Sequence, residues 1–271
     1  MSTLQKQLGD VAIYELTRDD WRRMKAMIDV FTQLMPEYSH YVSRLEESTA
    51  RTGPDHADHL YHVWLIEIEK RPAVIAAFEY VRRWDVGLGM DIAIFPTFRQ
   101  YTLPDGRNIA HAVLEAMVEV LQYDAQKYGQ RQYIPMGGEV KYPRLLERFQ
   151  SYGFIKLLVD YWEPPDISGK HDVKRFLGTP EEIEELKGLN YQRMNLGIFV
   201  PKDSDIDIDD PDMWGRVVRA FHIAHYNLQE DSRALQIALH SIIHLQHHLV
   251  ETRRALQIPL TTFNQVYPSN F

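Results

Sequence analysis

The stretch DIAIFPTFRQYTLPDGRNIAHAVLEAMVEVL, residues 91–121, decides the fold. It reads as a strand ending at Pro96, a polar loop holding Gly106, and a long helix that begins on small residues. Ile109, Val113, Ala116, Met117, Val120 and Leu121 fall on one helical face, and Gly129 is a natural stop. A strand that feeds a loop and then a helix start gathers orphan backbone N–H groups and the positive end of the helix dipole. Both favour an anion, so this junction is expected to hold phosphate groups of a cofactor.

Upstream, residues 10–16 alternate as a strand, and Thr17 and Asp20 precede a helix marked by Trp21, Met24, Met27, Ile28, Phe31 and Leu34. A short helix over Tyr41–Glu47 is expected, then strands at 61–69, 73–81 and 88–95. Downstream come a strand at 131–136, a helix over Tyr142–Tyr152 and a strand within 154–164. The order predicts an α/β (α+β) domain over residues 1–165, a mixed, mostly antiparallel sheet flanked by helices. Residues 166–271 are expected to form a mainly helical extension with a hairpin at about 211–257. Thr179-Pro180-Glu181-Glu182 is a capping box with proline at the first helical position, and Asp210-Pro211 opens a further helix.

A net charge of −8 argues against a broad nucleic-acid footprint. No apolar run reaches the ~18 residues of a membrane span. The start MSTLQKQLGD lacks the apolar centre of a signal peptide, so a cytoplasmic location is expected. Without cysteine there is no disulfide, no thiolate metal ligand and no thiol nucleophile.

Residues 10–165 resemble the GCN5-related N-acetyltransferase (GNAT) superfamily. Its arginine/glutamine-x-x-glycine-x-glycine/alanine loop is matched by Asp105-Gly106-Arg107-Asn108-Ile109-Ala110, and Ile94-x-Pro96-x-Phe98-Arg99 looks like the strand end before it. A helix closing on leucine-glycine-phenylalanine is the second signature, matched by Leu145–Phe154. Departures are clear: Asn108 replaces the middle glycine, Gln100–Pro104 are inserted, and Phe149 stands where the family places a catalytic tyrosine. Tyr142 replaces the family's asparagine.

The resemblance implies the acyl-CoA N-acyltransferase fold and acetyl-CoA or another acyl-CoA as cosubstrate, held by Ile94, Phe95, Arg99, Gly106, Arg107, Asn108, Ile109, Ala110 and His111. It implies direct transfer of a short acyl group to a small-molecule or peptide amine. Such a reaction needs a base for the amine, an N–H for the oxyanion and a proton for the departing thiolate. Asp91 and Glu79 are the best-placed carboxylates for the base, and Tyr142 and Tyr152 flank Phe149 as candidate acids. A solvated strand face, or a pairing with Arg82 and Arg83, is the plain alternative for both carboxylates. Asp105 would repel a pyrophosphate, so its side chain is expected to point away or to cap the helix.

His222, His225, His240, His244, His247 and His248 lie at spacings of three and four toward the C-terminus. Carboxylates are scarce nearby and no Glu-x-x-His pair occurs, so no metal is expected; interhelical hydrogen bonds or a polar contact in a homodimer account for them. The acidic run 203–212 lacks a calcium-loop glycine, with Ile208 at its sixth position and Trp214 at its twelfth. Two other readings stay open: a non-catalytic coenzyme A sensor or scaffold, and a histidine-rich helical metal-binding protein.

Overall fold

Residues 3–50, 58–166 and 179–242 are described in a computed structural model of the chain. Two compact units divide it. The first comprises residues 1–156 and 196–206, the second 157–195 and 207–271. The return of 196–206 to the first unit differs from the single break near 165 read in the sequence.

The sheet runs, in spatial order, through residues 3–8, 11–15, 59–68, 71–81, 86–94, 136–140, 192–199 and 155–156. β1 (Thr3–Leu8) and β2 (Val11–Glu15) form a hairpin, followed by α1 (Trp21–Leu34) and α2 (Val42–Ala50). Asp20 caps α1 by accepting from Arg23 N at 3.2 Å, as the sequence suggested. β3 (His59–Ile68), β4 (Arg71–Val81) and β5 (Val86–Ile94) continue the antiparallel meander. α3 (Ile109–Tyr128) then crosses over to β6 (Met136–Val140), which pairs with β5 in parallel. The sheet is thus mixed and mostly antiparallel, as expected.

Ile109, Val113, Ala116, Met117 and Leu121 of α3 are buried in one core with Trp64, Ile66 and Phe78 of the sheet. Gly129 ends the helix, but space rather than handedness requires it. Its φ is −94°, and a Cβ there would collide with the Tyr80 hydroxyl, the Asp85 carboxylate and, at 2.7 Å, Ala125 O.

β6 begins where the expected strand 131–136 was to end. Ile134 spends both backbone groups on the Gln122 side chain of α3, donating at 2.9 Å and accepting at 2.8 Å. The ladder therefore starts only after Pro135. The strand expected within 154–164 is two short ones, β7 (Ile155–Lys156) and β8 (Tyr161–Glu163). Both use β9 (Gln192–Phe199): β7 pairs with Gly197 and Ile198, β8 with residues 192–194. That shared strand is why residues 196–206 return to the first unit. Between β6 and β7 lies α4 (Pro143–Ser151).

The second unit holds β8, the first half of β9, α5 (Pro180–Gly188) and α6 (Pro211–Arg219), which continues as a π turn over Ala220–His225. A further helix is described over 233–242. Thr179 N donates to Glu182 Oε2 at 3.0 Å, the second half of the expected capping box. Asp210 accepts from Asp212 N at 2.9 Å and caps α6. The expected hairpin beyond 242, with His244, His247 and His248, lies outside the described residues.

Candidate functional site

β5 carries the irregularity that shapes the site. Ala77 pairs with Asp91 and Phe78 with Gly89, so Met90 is an extra residue, a β-bulge. On its other side β5 pairs with β6 only through Gly87, Leu88 and Gly89, and the parallel ladder stops at Gly89–Gly138. From Met90 to Ile94 the strand keeps β4 alone as its ladder partner among the described residues. Strand divergence thus begins at the bulge. The chain then passes Phe95, whose N–H donates to Ala73 O, and Arg99, whose Nε donates to Ile94 O at 3.2 Å.

The loop before α3 is tied largely to itself. Leu103 N donates to Arg107 O and Gly106 N to Leu103 O, each at 2.9 Å; Ile109 N donates to Tyr101 O at 3.0 Å. Gly106 has φ +86°, a left-handed conformation that favours glycine. Asn108 is the helix cap, its Oδ1 accepting from Ala110 N at 2.9 Å and from the Tyr152 hydroxyl at 3.2 Å. Its Nδ2 donates to Arg99 O at 3.0 Å. The asparagine side chain thus bonds three partners that a glycine could not reach.

Asp105 does not cap the helix, a place that Asn108 takes. It accepts from Arg107 N at 3.0 Å and from Arg107 Nε at 2.9 Å, and that guanidinium holds its carboxyl below the usual range. Arg107 also bonds Glu115, and both carboxylates push its pKa up. Glu115 further accepts from Lys202 Nζ at 2.8 Å and lies 3.6 Å from His111 Nε2. Burial opposes its charge, yet the bonds from Lys202 and Arg107 win and keep its pKa low. The His111 ring stacks on Tyr152 with centroids 5.1 Å apart. The loop therefore brings Arg99, Arg107, Asn108, Ile109, Ala110 and His111 together, with the Arg107, Ile109 and Ala110 amides already committed to protein acceptors.

The candidate acids separate. Tyr142 sits before α4, 55% exposed, with Lys141 Nζ 5.6 Å from its ring centroid. Tyr152 follows the other end of α4, about 15 Å away at the rise of an α-helix. Phe149 packs with Phe154 and Phe199, each ring 6.0 Å from it. A hydroxyl there would enter an apolar cluster.

The carboxylates lie on the opposite face of the sheet from α3. Glu79 has no exposed surface; its Oε2 lies 2.9 Å from His59 Nδ1 and its Oε1 3.8 Å from Arg44. The plain alternative for Glu79 is a solvated face or a pairing with Arg82 and Arg83; its carboxylate is instead buried, beside His59 and Arg44. Asp91, opposite Ala77 beside the bulge, keeps part of its surface but lies deep among protein atoms. Burial lifts its carboxyl to about 6, and the nearby Arg44 cation pulls the other way. His59 and Arg44 escaped the sequence reading. The only signal for His59 was its place on the face shared with Tyr61 and Glu79 once β3 and β4 pair.

In the second unit, His222 is fully buried in the π turn, with Nδ1 3.1 Å from Val218 O and Nε2 3.2 Å from Trp162 O. Burial drives its pKa down to about 4. Among the described residues no group of three or more metal-ligating side chains gathers, and no helix is long and apolar enough to cross a membrane.

No family model matches the chain, and no curated protein matches it in sequence. Its fold is similar over part of the chain to solved acetyltransferases. A structure assigned to the GNAT family from Desulfovibrio desulfuricans is 13% identical, covering 70% of this chain and 98% of its own at TM-score 0.44. The ribosomal-protein-S18-alanine N-acetyltransferase of Escherichia coli is 12% identical, with 72% and 99% covered at TM-score 0.41. A GNAT family acetyltransferase from Elizabethkingia anophelis with acetyl-CoA bound is 12% identical, with 71% and 99% covered at TM-score 0.40.

Proposed function

We propose that the chain is an acyl-CoA-dependent N-acyltransferase of the GCN5-related type. The observation that carries this is the sequence of events on β5: a bulge at Met90, the end of the parallel ladder at Gly89–Gly138, then the loop and the start of α3. An extended ligand arm with amides can lie along β5 from Met90 to Ile94 and pair with its backbone. That arm leads to the helix start, where the dipole and His111 favour pyrophosphate. Pyrophosphate then competes with Asp105 for Arg107. The acyl carbonyl comes beside the bulge, where a strand amide offers an oxyanion donor. Asp91, ionised at neutral pH, is the counter-ion for the acceptor's ammonium group, of a small molecule or a peptide.

Calorimetric titration with acetyl-CoA tests this. Micromolar binding is expected for the wild type and its loss for the Gly106→Glu/Ala110→Glu variant. No binding to the wild type would sink the reading.

A non-catalytic acyl-CoA binder is the second reading, favoured by Phe149 in its apolar cluster and by the separation of Tyr142 from Tyr152. Thioester consumption with a panel of amines separates the two, because a sensor binds without turnover.

A further inference from the structure

We propose that Gly89 and Gly138 open a slot for an aliphatic acyl chain longer than acetyl, so that the preferred cosubstrate is a longer-chain acyl-CoA. This rests on the acyltransferase reading above and deepens it by naming the acyl donor.

The two glycines face each other in the last pair of the parallel β5–β6 ladder, and both keep part of their surface accessible. Glycine inside a strand weakens it and often marks a place that a ligand approaches closely. For Gly87 the reason is packing, because a Cβ there would lie 2.5 Å from Leu121 Cδ1 of α3. Where the ladder ends, no such reason holds. Neither Gly89 nor Gly138 has a positive φ, and an added Cβ would meet its neighbours only at ordinary contact distance. At Gly89 these are Gly137 O at 3.5 Å, Met117 Cε at 3.6 Å and Met136 Sδ at 3.7 Å. At Gly138, chain neighbours apart, only Phe154 Cε2 comes within 4 Å among the described residues, at 3.4 Å. Room for two side chains is left open where the strands part.

The surroundings of that room are apolar. Met117, Met136 and Phe154 belong to the core between the sheet and α3, and Phe149 packs against it. A phenyl ring at position 149 suits such a wall better than a hydroxyl would. Thioether side chains adapt their shape readily, so the two methionines can yield to a chain laid beside them. The path of the cosubstrate leads to the same place. Its arm runs along β5 from the start of α3 back toward Met90, so the acyl carbonyl ends beside the bulge. The next residue in that direction is Gly89, and an acyl tail that continues enters the space over Gly89 and Gly138. A Cβ on Gly89 would touch Met117 of α3, which puts this space on the α3 side of the sheet. Asp91 stands on the opposite face, across from Ala77, so the amine reaches the carbonyl from the side away from the tail.

Calorimetric titration of the full chain with free coenzyme A, acetyl-CoA, butyryl-CoA and hexanoyl-CoA tests the assignment. Two further buried methylenes should make butyryl-CoA bind the wild type about tenfold more tightly than acetyl-CoA. In Gly89→Ala/Gly138→Ala the added methyl groups fill the slot, and that gain should vanish. Free coenzyme A, which has no acyl chain, should keep its affinity for the double variant. Phe154→Leu widens the slot and should raise the affinity for hexanoyl-CoA relative to butyryl-CoA. Equal affinity of the wild type for acetyl-CoA and butyryl-CoA overturns the proposal, as does a gain that survives in the double variant. Should the double variant lose free coenzyme A as well, Phe154→Leu decides, and an unchanged order of affinities overturns the slot. Failure of the wild type to bind any of the four ligands is a different result: it sinks the acyltransferase reading and this proposal with it.

Discussion

His62 Nε2 lies 2.8 Å from Asp124 Oδ2, tying β3 to the C-terminal half of α3 across 62 residues of sequence. The other ring nitrogen lies 3.1 Å from Glu15 Oε2 on β2. Glu15 also accepts from Trp64 Nε1 at 2.8 Å, so one network joins two strands and the helix that follows the Gly106 loop. Burial works against a charged ring here, but the bonds to Asp124 and Glu15 outweigh it and lift the pKa to about 9.

Because that pKa lies above the ordinary value of 6.5, the stabilisation is fully present below pH 6.5 and is lost as pH rises through about 9. It is on the order of 3 kcal/mol. Denaturant unfolding of the wild type and of His62→Gln should show a gap of that size at pH 6, shrinking by pH 10. A gap that does not change with pH would refute the charged pair.

Asp91 is raised as well, here because burial disfavours its charged form, so stability again falls as pH rises. Its carboxyl is raised from 3.8 to about 6, so ionisation costs stability that is intact below pH 3.8 and forfeited above about 6. Asp91→Asn is expected to stabilise the protein at pH 7.5 by about 2 kcal/mol while raising the acceptor KM. Thermal melts at pH 4 and pH 7.5 check it: the gain should appear only at the higher pH.

Asn108 couples the helix cap to the proposed phosphate site. Asn108→Ala should cost about 1 kcal/mol through the lost cap. Asn108→Asp keeps a capping oxygen but adds a negative charge at the loop. It should leave stability near that of the wild type and weaken acetyl-CoA binding about tenfold. Equal affinities in calorimetry would place the pyrophosphate elsewhere.

Gly129→Ala forces a methyl group against Ala125 O, Tyr80 and Asp85. Tyr80 donates a short hydrogen bond to Asp85, which also accepts from Gln130 N at 3.2 Å. The substitution should cost about 3 kcal/mol in chemical denaturation, because overpacking and a broken buried bond add. A cost under about 1 kcal/mol would show that the loop yields.

Local chemistry let the sequence alone specify much of this protein. The apolar stripe of α3, the caps at Asp20 and Asp210, and the pairing of Thr179 with Glu182 depend on neighbours within a few residues. The order of strands and helices from β2 to α4 followed from such signals, whereas the edge strand β1 was not read. Where a side chain from far along the chain intervened, the reading shifted. Gln122 takes the hydrogen bonds of Ile134 and delays β6, and β9 draws β7 and β8 apart from what read as one strand. Only the tertiary structure decided which acids are sealed and which are reachable. Glu79 and Asp91 look alike in sequence, yet burial and the positions of His59 and Arg44 separate them. Desolvation and pairing act through space, between residues that only the folded sheet brings within a few ångströms.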